Sequence, residues 1–296
     1  MVTEPEGTSP AAARNAGAQR ASGDVLVFID SDVQIHPDGF TRIRRTFTRD
    51  LTLTAVFGSY DAAPAAGGTL TAFRNLLHHH VHQTCAGPAS TFWAGLGAIR
   101  RDAFLSAGGF DAARFPRASV EDIELGMRLA ERSERLYLDP ALQGTHLKHW
   151  RLAQMIRTDL FARGLPWALT LIRSHRRSSA LNLGRRHRLS ALASVGVLAG
   201  LLARRWAAAG CAIGAVLVLN RSFYALLWRR GGPWLAVSGI GLHILHHLTG
   251  TVALSIAIVV CAKERAVGDD TTLRRRTRSG VEVKVSRRRK SRPLAP

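Results

Sequence analysis

Two pairs of acidic residues have the spacing that catalytic and metal-binding carboxylates use. Asp30 and Asp32, separated by Ser31, directly follow an apolar run that ends at Ile29. Because unpaired carboxylates are costly to bury, a divalent cation that prefers hard oxygen ligands, Mg2+ or Mn2+, would offset the cost of placing them there. The alternative is a turn in which an aspartate caps the following helix. The spacing of this pair leaves both interpretations open.

The second pair, Glu121 and Asp122, begins a segment whose apolar residues have helical spacing. Acidic residues are favourable at helix N-termini, so a structural role is the simpler interpretation of the pair taken alone. The functional alternative is that one carboxylate acts as a general base and removes a proton from an attacking hydroxyl.

These carboxylates need a scaffold that brings strand ends and helix starts together. The run of β-forming residues at 25–29 predicts a strand buried on both faces, as in a parallel sheet. Open α/β sheets bind ligands beyond the carboxyl ends of their strands, which is where Asp30 would lie. Further elements are predicted as strands at 55–60, 92–99 and 136–138 and as helices at 11–21, 40–47, 69–83 and 120–132. Strands that alternate with helices indicate an α/β layered domain.

The chain becomes far more apolar after residue 189. Residues 233–262 are long enough to cross a bilayer, for which roughly 20 apolar residues suffice. Residues 189–219 are apolar except for Arg204 and Arg205, and each half alone is short for a full crossing. We therefore expect two or three membrane helices within 189–262.

Basic residues are concentrated on both sides of this apolar region, at 157–188 and 263–292, and the formal net charge is +20. Lys and Arg beside membrane segments are typical of the cytoplasmic side and of contact with anionic lipids. Nucleic-acid binding is the rival interpretation, but the basic clusters adjoin lipid-length segments and carry no interleaved aromatic residues. The charge pattern therefore predicts a multi-pass plasma-membrane protein with a cytoplasmic catalytic domain, with membrane lipids as partners and no nucleic acid.

Cysteine and histidine give weaker signals. The three cysteines are widely spaced and form no CxxC pair, which is typical of a reducing compartment. His78 and His82 would share a helix face, whereas the intervening histidines would not, so the cluster lacks the spacing typical of a structural zinc site.

An ordered series of short motifs resembles the family 2 glycosyltransferases with a GT-A fold, over residues 11–175. In chain order the motifs are ARNAGA at 13–18, GDVLVFIDSDV at 23–33, WAG at 93–95, AIRR at 98–101, GGFD at 108–111, EDIELG at 121–126, HLKHW at 146–150 and RGLPW at 163–167. The apolar region that follows is similar to that of membrane-bound members. The resemblance implies a GT-A-like sheet with flanking helices, followed by C-terminal membrane helices.

The resemblance also implies a donor site. Asp30, Ser31 and Asp32 match the DxD element, in which Asp32 would be the main ligand of Mg2+ or Mn2+ and Asp30 would face the ribose or sugar. His146 falls where some relatives place a residue near the metal and the diphosphate. Arg14 would reach the nucleotide or its phosphates. The implied donor is a nucleotide-sugar.

On the acceptor side, the resemblance implies that Asp122 is the base of an inverting single displacement and that Glu121 binds or orients the acceptor. Trp93 and Gly95 would line the acceptor pocket, where a missing side chain permits close approach. Trp150 would close the site by stacking. Because an ionised phosphate acceptor would need no base, the acidic pair favours an acceptor hydroxyl, on a lipid or a polysaccharide.

The chain departs from the family at its start, where the family carries further strands before the ARNAGA motif. We therefore expect an incomplete nucleotide site and little or no transferase activity in this chain. The alternative function is that of a non-catalytic, membrane-anchored binding or scaffold protein. The predicted organisation is a disordered leader at 1–10, a partial GT-A domain at 11–155, an amphipathic basic interfacial segment at 156–188, a transmembrane region at 189–262 and a basic disordered tail at 263–296.

Overall fold

A mixed six-stranded sheet organises the N-terminal part of the molecule. The computed structural model describes residues 9–174 and 184–288, with side chains described as far as residue 266. The strands are β1 (Val25–Ile29), β2 (Val33–Ile35), β3 (Leu53–Tyr60), β4 (Gly87–Ala89), β5 (Leu96–Arg100) and β6 (Arg135–His146). Their order is β1-β5-β3-β6-β2, and β4 pairs with β6 beside this path. Only the β3–β6 pair is parallel among these strands.

Helices flank this sheet and then continue as a separate group. Those of the sheet domain are α1 (Pro10–Arg20), α2 (Gly39–Arg49), α3 (Thr69–Thr84), α4 (Arg101–Ser106) and α5 (Glu121–Glu131). The chain goes on through α6 (Leu152–Arg157), a π-helix (Thr158–Gly164), α7 (Leu165–Arg173), α8 (Arg185–Leu202), α9 (Trp206–Leu219) and α10 (Arg221–Arg288). The mixed sheet with flanking helices confirms the predicted α/β class.

The two faces of the sheet are covered by different apolar clusters. On one face, Phe28 and Phe57 pack with Phe92, Phe104 and Phe110. The cluster on the other side includes residues of α2, among them Ile43 and Phe47, with Leu53, Val56 and Leu96. Burial of these side chains is the main stabilising term of the domain, because it removes large apolar areas from water.

Strand β1 corrects one prediction. The sequence predicted a strand in a parallel sheet, buried on both faces, but β1 runs antiparallel to β5, with Val25 opposite Arg100 and Ile29 opposite Leu96. Its burial alternates: Leu26 and Phe28 are buried, whereas the residues between and beside them are half-exposed. The reason is that β1 lies at the edge of the described sheet, with β5 as its one strand neighbour there.

Strand β6 is much longer than the predicted segment 136–138. It continues through Pro140 and Gly144 to His146, with register shifts where it pairs with β3. Proline and glycine usually interrupt strands. The register shift between Leu138 and Gln143 accommodates Pro140, whereas Gly144 stays paired with Ile35 and Tyr60. The extension brings His146 opposite Val33 of β2, next to the predicted metal-binding turn.

Two of the later helical segments are apolar. One helical segment, Arg221–Ala266, is long and apolar enough to cross a bilayer, and Trp206–Leu219 is a shorter apolar helix. Within α10, Gly231 and Gly232 break the helical geometry just before Pro233. The number of crossings stays a prediction.

The structure describes only part of the predicted leader and tail. Residues 1–8, 175–183 and 289–296 lie outside the described residues, which removes most of the leader, part of the interfacial segment and the end of the tail. The described backbone is helical as far as Arg288, and the disorder of the tail from residue 263 stays a prediction.

Candidate active site

The turn that carries Asp30, Ser31 and Asp32 connects β1 to β2 and is held on both sides by backbone hydrogen bonds. The Asp30 N–H donates to the Gly95 carbonyl at 3.0 Å, and the Leu147 N–H donates to the Asp32 carbonyl at 2.9 Å. These bonds fix the turn between the start of β5 and the end of β6. The side chains of Asp30 and Asp32 remain about one-third exposed, at 32% and 35%, so both carboxylates are open to a ligand.

Arg14 joins the two acidic pairs. Its Nη2 lies 2.6 Å from Asp30 Oδ1, and its Nη1 lies 2.8 Å from Glu121 Oε1. Glu121 also accepts a hydrogen bond from the Ser119 N–H at 2.9 Å. The resemblance implied that Arg14 reaches the nucleotide, but here its guanidinium is occupied by these two carboxylates. It therefore fixes the start of α5 against the Asp30 turn.

A cationic corner faces the Asp32 carboxylate. His146 Nε2 and Lys148 Nζ lie 3.7 and 3.8 Å from Asp32 Oδ2. The approach of His146 is the main reason that the pKa of Asp32 lies below its usual value, and the charge of Lys148 adds to this against the opposing effect of burial. The His146 ring stacks on Tyr60 at 4.2 Å, and its Nδ1 is buried without a hydrogen-bond partner. Asp32 is thus held ionised beside the His146 ring and the Lys148 ammonium group.

Asp122 has the opposite environment. In the first turn of α5, its carboxylate accepts hydrogen bonds from the Ala94 N–H at 3.0 Å and the Ile123 N–H at 2.8 Å. Burial, followed by the neighbouring charge of Glu121, raises the pKa of Asp122 to about 6. The bond to Ile123 is the structural role expected of an acid at a helix N-terminus. The raised pKa is what a general base that works near neutral pH requires.

Gly95 and Trp93 have a role that the sequence did not indicate. A Cβ atom at Gly95 would lie 2.4 Å from the Trp93 indole, so the missing side chain makes room for that ring. The indole in turn packs edge-on against Tyr60, with ring centroids 5.0 Å apart. Gly95 therefore accommodates Trp93 in this structure, and acceptor binding by the two residues stays a prediction.

Trp150, predicted to stack on a sugar, is 6% exposed. Its backbone N–H donates to Thr71 Oγ1 at 3.1 Å, and the cations of Arg74 and Lys148 lie 4.9 and 4.8 Å from its ring centroid. The ring is therefore covered by protein groups, which leaves little of its surface for a substrate. Its predicted stacking role remains untested.

The histidines of α3 have structural partners. His78 and His82 share a face, as predicted, with ring centroids 3.9 Å apart. His82 Nδ1 lies 2.7 Å from the Gly58 carbonyl, and burial lowers the pKa of His82 to about 4, so its ring is neutral near pH 7. Within residues 9–174 and 184–266, no group of three or more His, Cys, Asp or Glu side chains is placed to hold a metal ion by itself.

Sequence reasoning missed several polar residues near the site. Lys148 lies inside the HLKHW motif, whose position between two quoted site residues was the available signal. Asp159 is the sole acidic residue in the basic segment 156–188, and it is buried against Arg74. No local pattern indicated Arg74, because its partner lies 85 positions away in the sequence.

The site therefore contains two carboxylates with different proton affinities, and Arg14 joins their sequence neighbours Asp30 and Glu121. Asp32 is held ionised beside two cationic or polar groups, whereas Asp122 keeps a proton up to about pH 6. Such divergence within one site is typical of a metal or phosphate ligand paired with an acid–base residue.

Comparison with known proteins finds similarity in the first third of the chain. None of the curated proteins matches the chain significantly. Among solved structures, the mannosyltransferase PcManGT from Pyrobaculum calidifontis, in complex with GDP-Man and Mn2+, is similar at 18% sequence identity and a TM-score of 0.45, with 87% of this chain and 67% of that chain covered. Residues 1–105 match the sequence profile described as Glycosyl transferase family 2. This segment, about a third of the chain, contains Arg14 and the Asp30–Asp32 turn and is similar to family 2 glycosyltransferases.

Proposed function

We propose that the protein transfers a sugar, with inversion, from a nucleotide-sugar donor to an acceptor hydroxyl at a membrane surface. The observation that carries this proposal is the Arg14 bridge, which brings the Asp30 turn and the Glu121–Asp122 helix start into one site. Asp122 lies beyond the family-matched segment, so its assignment depends on this geometry and on its raised pKa.

The residues of the cationic corner fit a divalent metal ion that is shared with the donor. Asp32 is ionised and about one-third exposed, and the Nδ1 atom of the neighbouring His146 lacks a partner. Mg2+ and Mn2+ commonly take few protein ligands and complete their coordination with phosphate oxygens and water. Asp32, with Asp30 and His146, would hold Mg2+ or Mn2+. When bound, the metal would neutralise charge on the departing nucleoside diphosphate.

The protein groups have complementary tasks in this proposal. Lys148 attracts the donor diphosphate electrostatically, because its ammonium group is close to Asp32 and half-exposed. Arg14 fixes Asp30 and Glu121 in place, which leaves Glu121 to orient the acceptor. Asp122 accepts the proton of the acceptor hydroxyl as that oxygen attacks the sugar carbon. Its pKa of about 6 leaves it mostly ionised at pH 7 while retaining useful basicity.

A lipid-borne acceptor is favoured by the surroundings of the site. Three exposed apolar side chains lie in or after the HLKHW motif. Leu147 is within the motif, and Leu152 and Phe161 follow it. Exposed apolar residues also lie along the later helices, namely Leu192, Leu202, Trp206, Val218, Trp228, Trp234, Val237 and Val259. Apolar surface of this extent, with arginines beside it, is typical of contact with a bilayer. A polysaccharide acceptor presented at the same surface is the second possibility.

A transfer assay tests the function. The protein in detergent is incubated with Mn2+, a panel of UDP- and GDP-sugars, and either phospholipid vesicles that contain a total lipid extract or a soluble polysaccharide, and products are identified by mass spectrometry. The sequence alone predicted little or no activity, but the Arg14 bridge between the two acidic pairs leads us to expect transfer. The expected product is a glycosylated lipid that is absent with Asp32→Asn and present with Asp102→Asn, a control outside the site. Metal-dependent binding of UDP or GDP without transfer to any acceptor would instead support the scaffold alternative.

A further inference from the structure

A buried ionic network lies between the sheet domain and the apolar helices. The Asp159 carboxylate lies 2.9 Å from Arg74 Nη1 and 2.8 Å from His246 Nδ1. The Asp159 and Arg74 side chains are 4% and 7% exposed, and that of His246 is 18% exposed. Burial would raise the pKa of Asp159, but its interactions with His246 and Arg74 outweigh that effect, and the pKa lies below the usual value. The Asp159–Arg74 pair is therefore ionic in the folded protein.

Three separate elements meet at Asp159. Arg74 belongs to α3, Asp159 to the π-helix and His246 to α10. π-Helical turns are rare and are often found at functional sites. The backbone is tightly packed at the end of this π-helix, because a Cβ at Gly164 would lie 2.4 Å from the Asp159 carbonyl oxygen. The position of the Asp159 carboxylate is thus fixed by backbone packing as well as by its partners.

The network continues by direct contacts to the candidate metal ligand. The Arg74 guanidinium lies over the Trp150 ring at 4.9 Å, and the backbone N–H of Trp150 donates to Oγ1 of Thr71, which is in the same helix as Arg74. Lys148 Nζ lies 4.8 Å from the centroid of the same ring and 3.8 Å from Asp32 Oδ2. Trp150 therefore connects the buried arginine with the lysine that faces the donor corner.

We propose that Asp159 and Arg74 are positioning residues, which hold Trp150 and Lys148 in the geometry that binds the donor diphosphate and link that geometry to the apolar helix α10 through His246. This proposal rests on the proposed function for the identity of the ligand. Its structural part, the fixing of the 147–150 segment by the buried pair, can be tested without any ligand.

The test must separate positioning from folding. Asp159→Asn alone leaves Arg74 as a buried, unpaired cation, which is strongly destabilising. The informative variant is Arg74→Met with Asp159→Asn, which removes both charges at similar volume and keeps an acceptor for His246. The matched control is Glu264→Gln, which removes an exposed ion pair between Arg173 and Glu264 that joins α7 to α10.

The first measurement is hydrogen–deuterium exchange of the full chain in detergent, read at the amides of Leu147 and Trp150. We expect exchange about tenfold faster in the double variant, the scale expected for loss of a desolvated cation–π contact. Wild-type exchange is expected in Glu264→Gln. Wild-type protection at both amides in a folded double variant would overturn the proposal.

The second measurement is calorimetric binding of UDP and GDP in the presence of Mn2+. We expect at least about tenfold weaker binding in the double variant at an unchanged melting temperature, because outer partners of metal and phosphate ligands commonly contribute that much. Wild-type affinity in the double variant would overturn the proposal. Absence of binding by the wild-type protein would instead contradict the proposed function, and the exchange result would still decide the positioning role.

Discussion

Replacement of Asp122 by asparagine should lower activity and remove a loss of stability that the wild type undergoes as pH rises. The side chain keeps its size and its place at the start of α5, but it loses the ability to take up a proton from an acceptor hydroxyl. Removal of a general base typically lowers the rate by about 10²- to 10⁴-fold. We expect this loss in kcat for the transferase reaction.

The stability effect follows from the pKa of Asp122. Its value is raised from 3.8 to about 6, which corresponds to a cost of about 3 kcal/mol for the ionised carboxylate in the folded state. Because the folded state binds the proton more tightly than the unfolded state does, the free energy of unfolding of the wild type falls as pH rises from about 4 to 6. Asparagine resembles the protonated carboxyl and does not titrate, so the variant avoids this fall.

The assay is urea unfolding at pH 4 and pH 7.5, together with a pH profile of kcat/KM. Asparagine can accept only one of the two backbone hydrogen bonds that Asp122 accepts, from Ala94 and Ile123, which costs the variant the same stability at both pH values. We expect the stability of the variant relative to the wild type to increase by up to about 3 kcal/mol from pH 4 to pH 7.5. Wild-type kcat/KM should fall about tenfold per pH unit below about pH 6. The control is Asp102→Asn, because Asp102 is likewise the second residue of its helix and accepts a hydrogen bond from the next N–H.

Two results would refute this reasoning. If the difference in free energy of unfolding between the variant and the wild type is the same at pH 4 and pH 7.5, Asp122 does not carry the cost of burial. A variant that keeps wild-type kcat would remove Asp122 from the role of base, whatever its effect on stability.

Three further predictions concern the donor site and the packing around it. Asp32→Asn should weaken Mn2+-dependent binding of UDP or GDP by about 10- to 100-fold in calorimetry, and unchanged affinity would exclude Asp32 as a metal ligand. Arg14→Met should lower the free energy of unfolding by about 3–5 kcal/mol in urea, because Glu121 would remain buried without its counter-charge; a loss below about 1 kcal/mol would mean that solvent replaces the bridge. Gly95→Ala should cost about 1–3 kcal/mol, because the added methyl group would overlap the Trp93 indole, and a neutral result would contradict that packing.

The glycine prediction has a control within the same domain. Gly67 has no atom within 4 Å of an added Cβ and no positive φ, so Gly67→Ala should leave the free energy of unfolding unchanged or slightly raised. A similar loss at both glycines would assign the effect to glycine substitution in general rather than to the indole.

The sequence predicted the position of the donor corner better than the sheet around it. An apolar run followed by Asp30 and Asp32 predicts a strand that ends in carboxylates, and β1 ends at Ile29. The predicted parallel orientation of the neighbouring strand was wrong. Apolar residues on both sides of a strand indicate that its faces are covered, but they carry no information about strand orientation. The length of β6 was also missed, since Pro140 and Gly144 usually end a strand, whereas here a register shift accommodates Pro140 and Gly144 stays paired with Ile35 and Tyr60.

Long-range contacts were the least predictable part of the site. The Arg14–Glu121 bond joins residues 107 positions apart, and nothing in the local pattern around either residue indicates the other. The roles of Gly95 and Trp150 depended on which side chains fill the neighbouring space, which a motif cannot specify. Asp159 had one usable signal, its isolation among basic residues, which indicates a partner without identifying it.

The most direct test of the central claim is release of nucleoside diphosphate from UDP- and GDP-sugars by the purified protein, measured with and without EDTA. We predict release with at least one donor in the presence of Mn2+, loss of release on chelation or with Asp32→Asn, and an acid limb near pH 6 that disappears with Asp122→Asn. Release that persists in both variants and in EDTA would contradict the account, as would the absence of both release and nucleoside diphosphate binding with every donor.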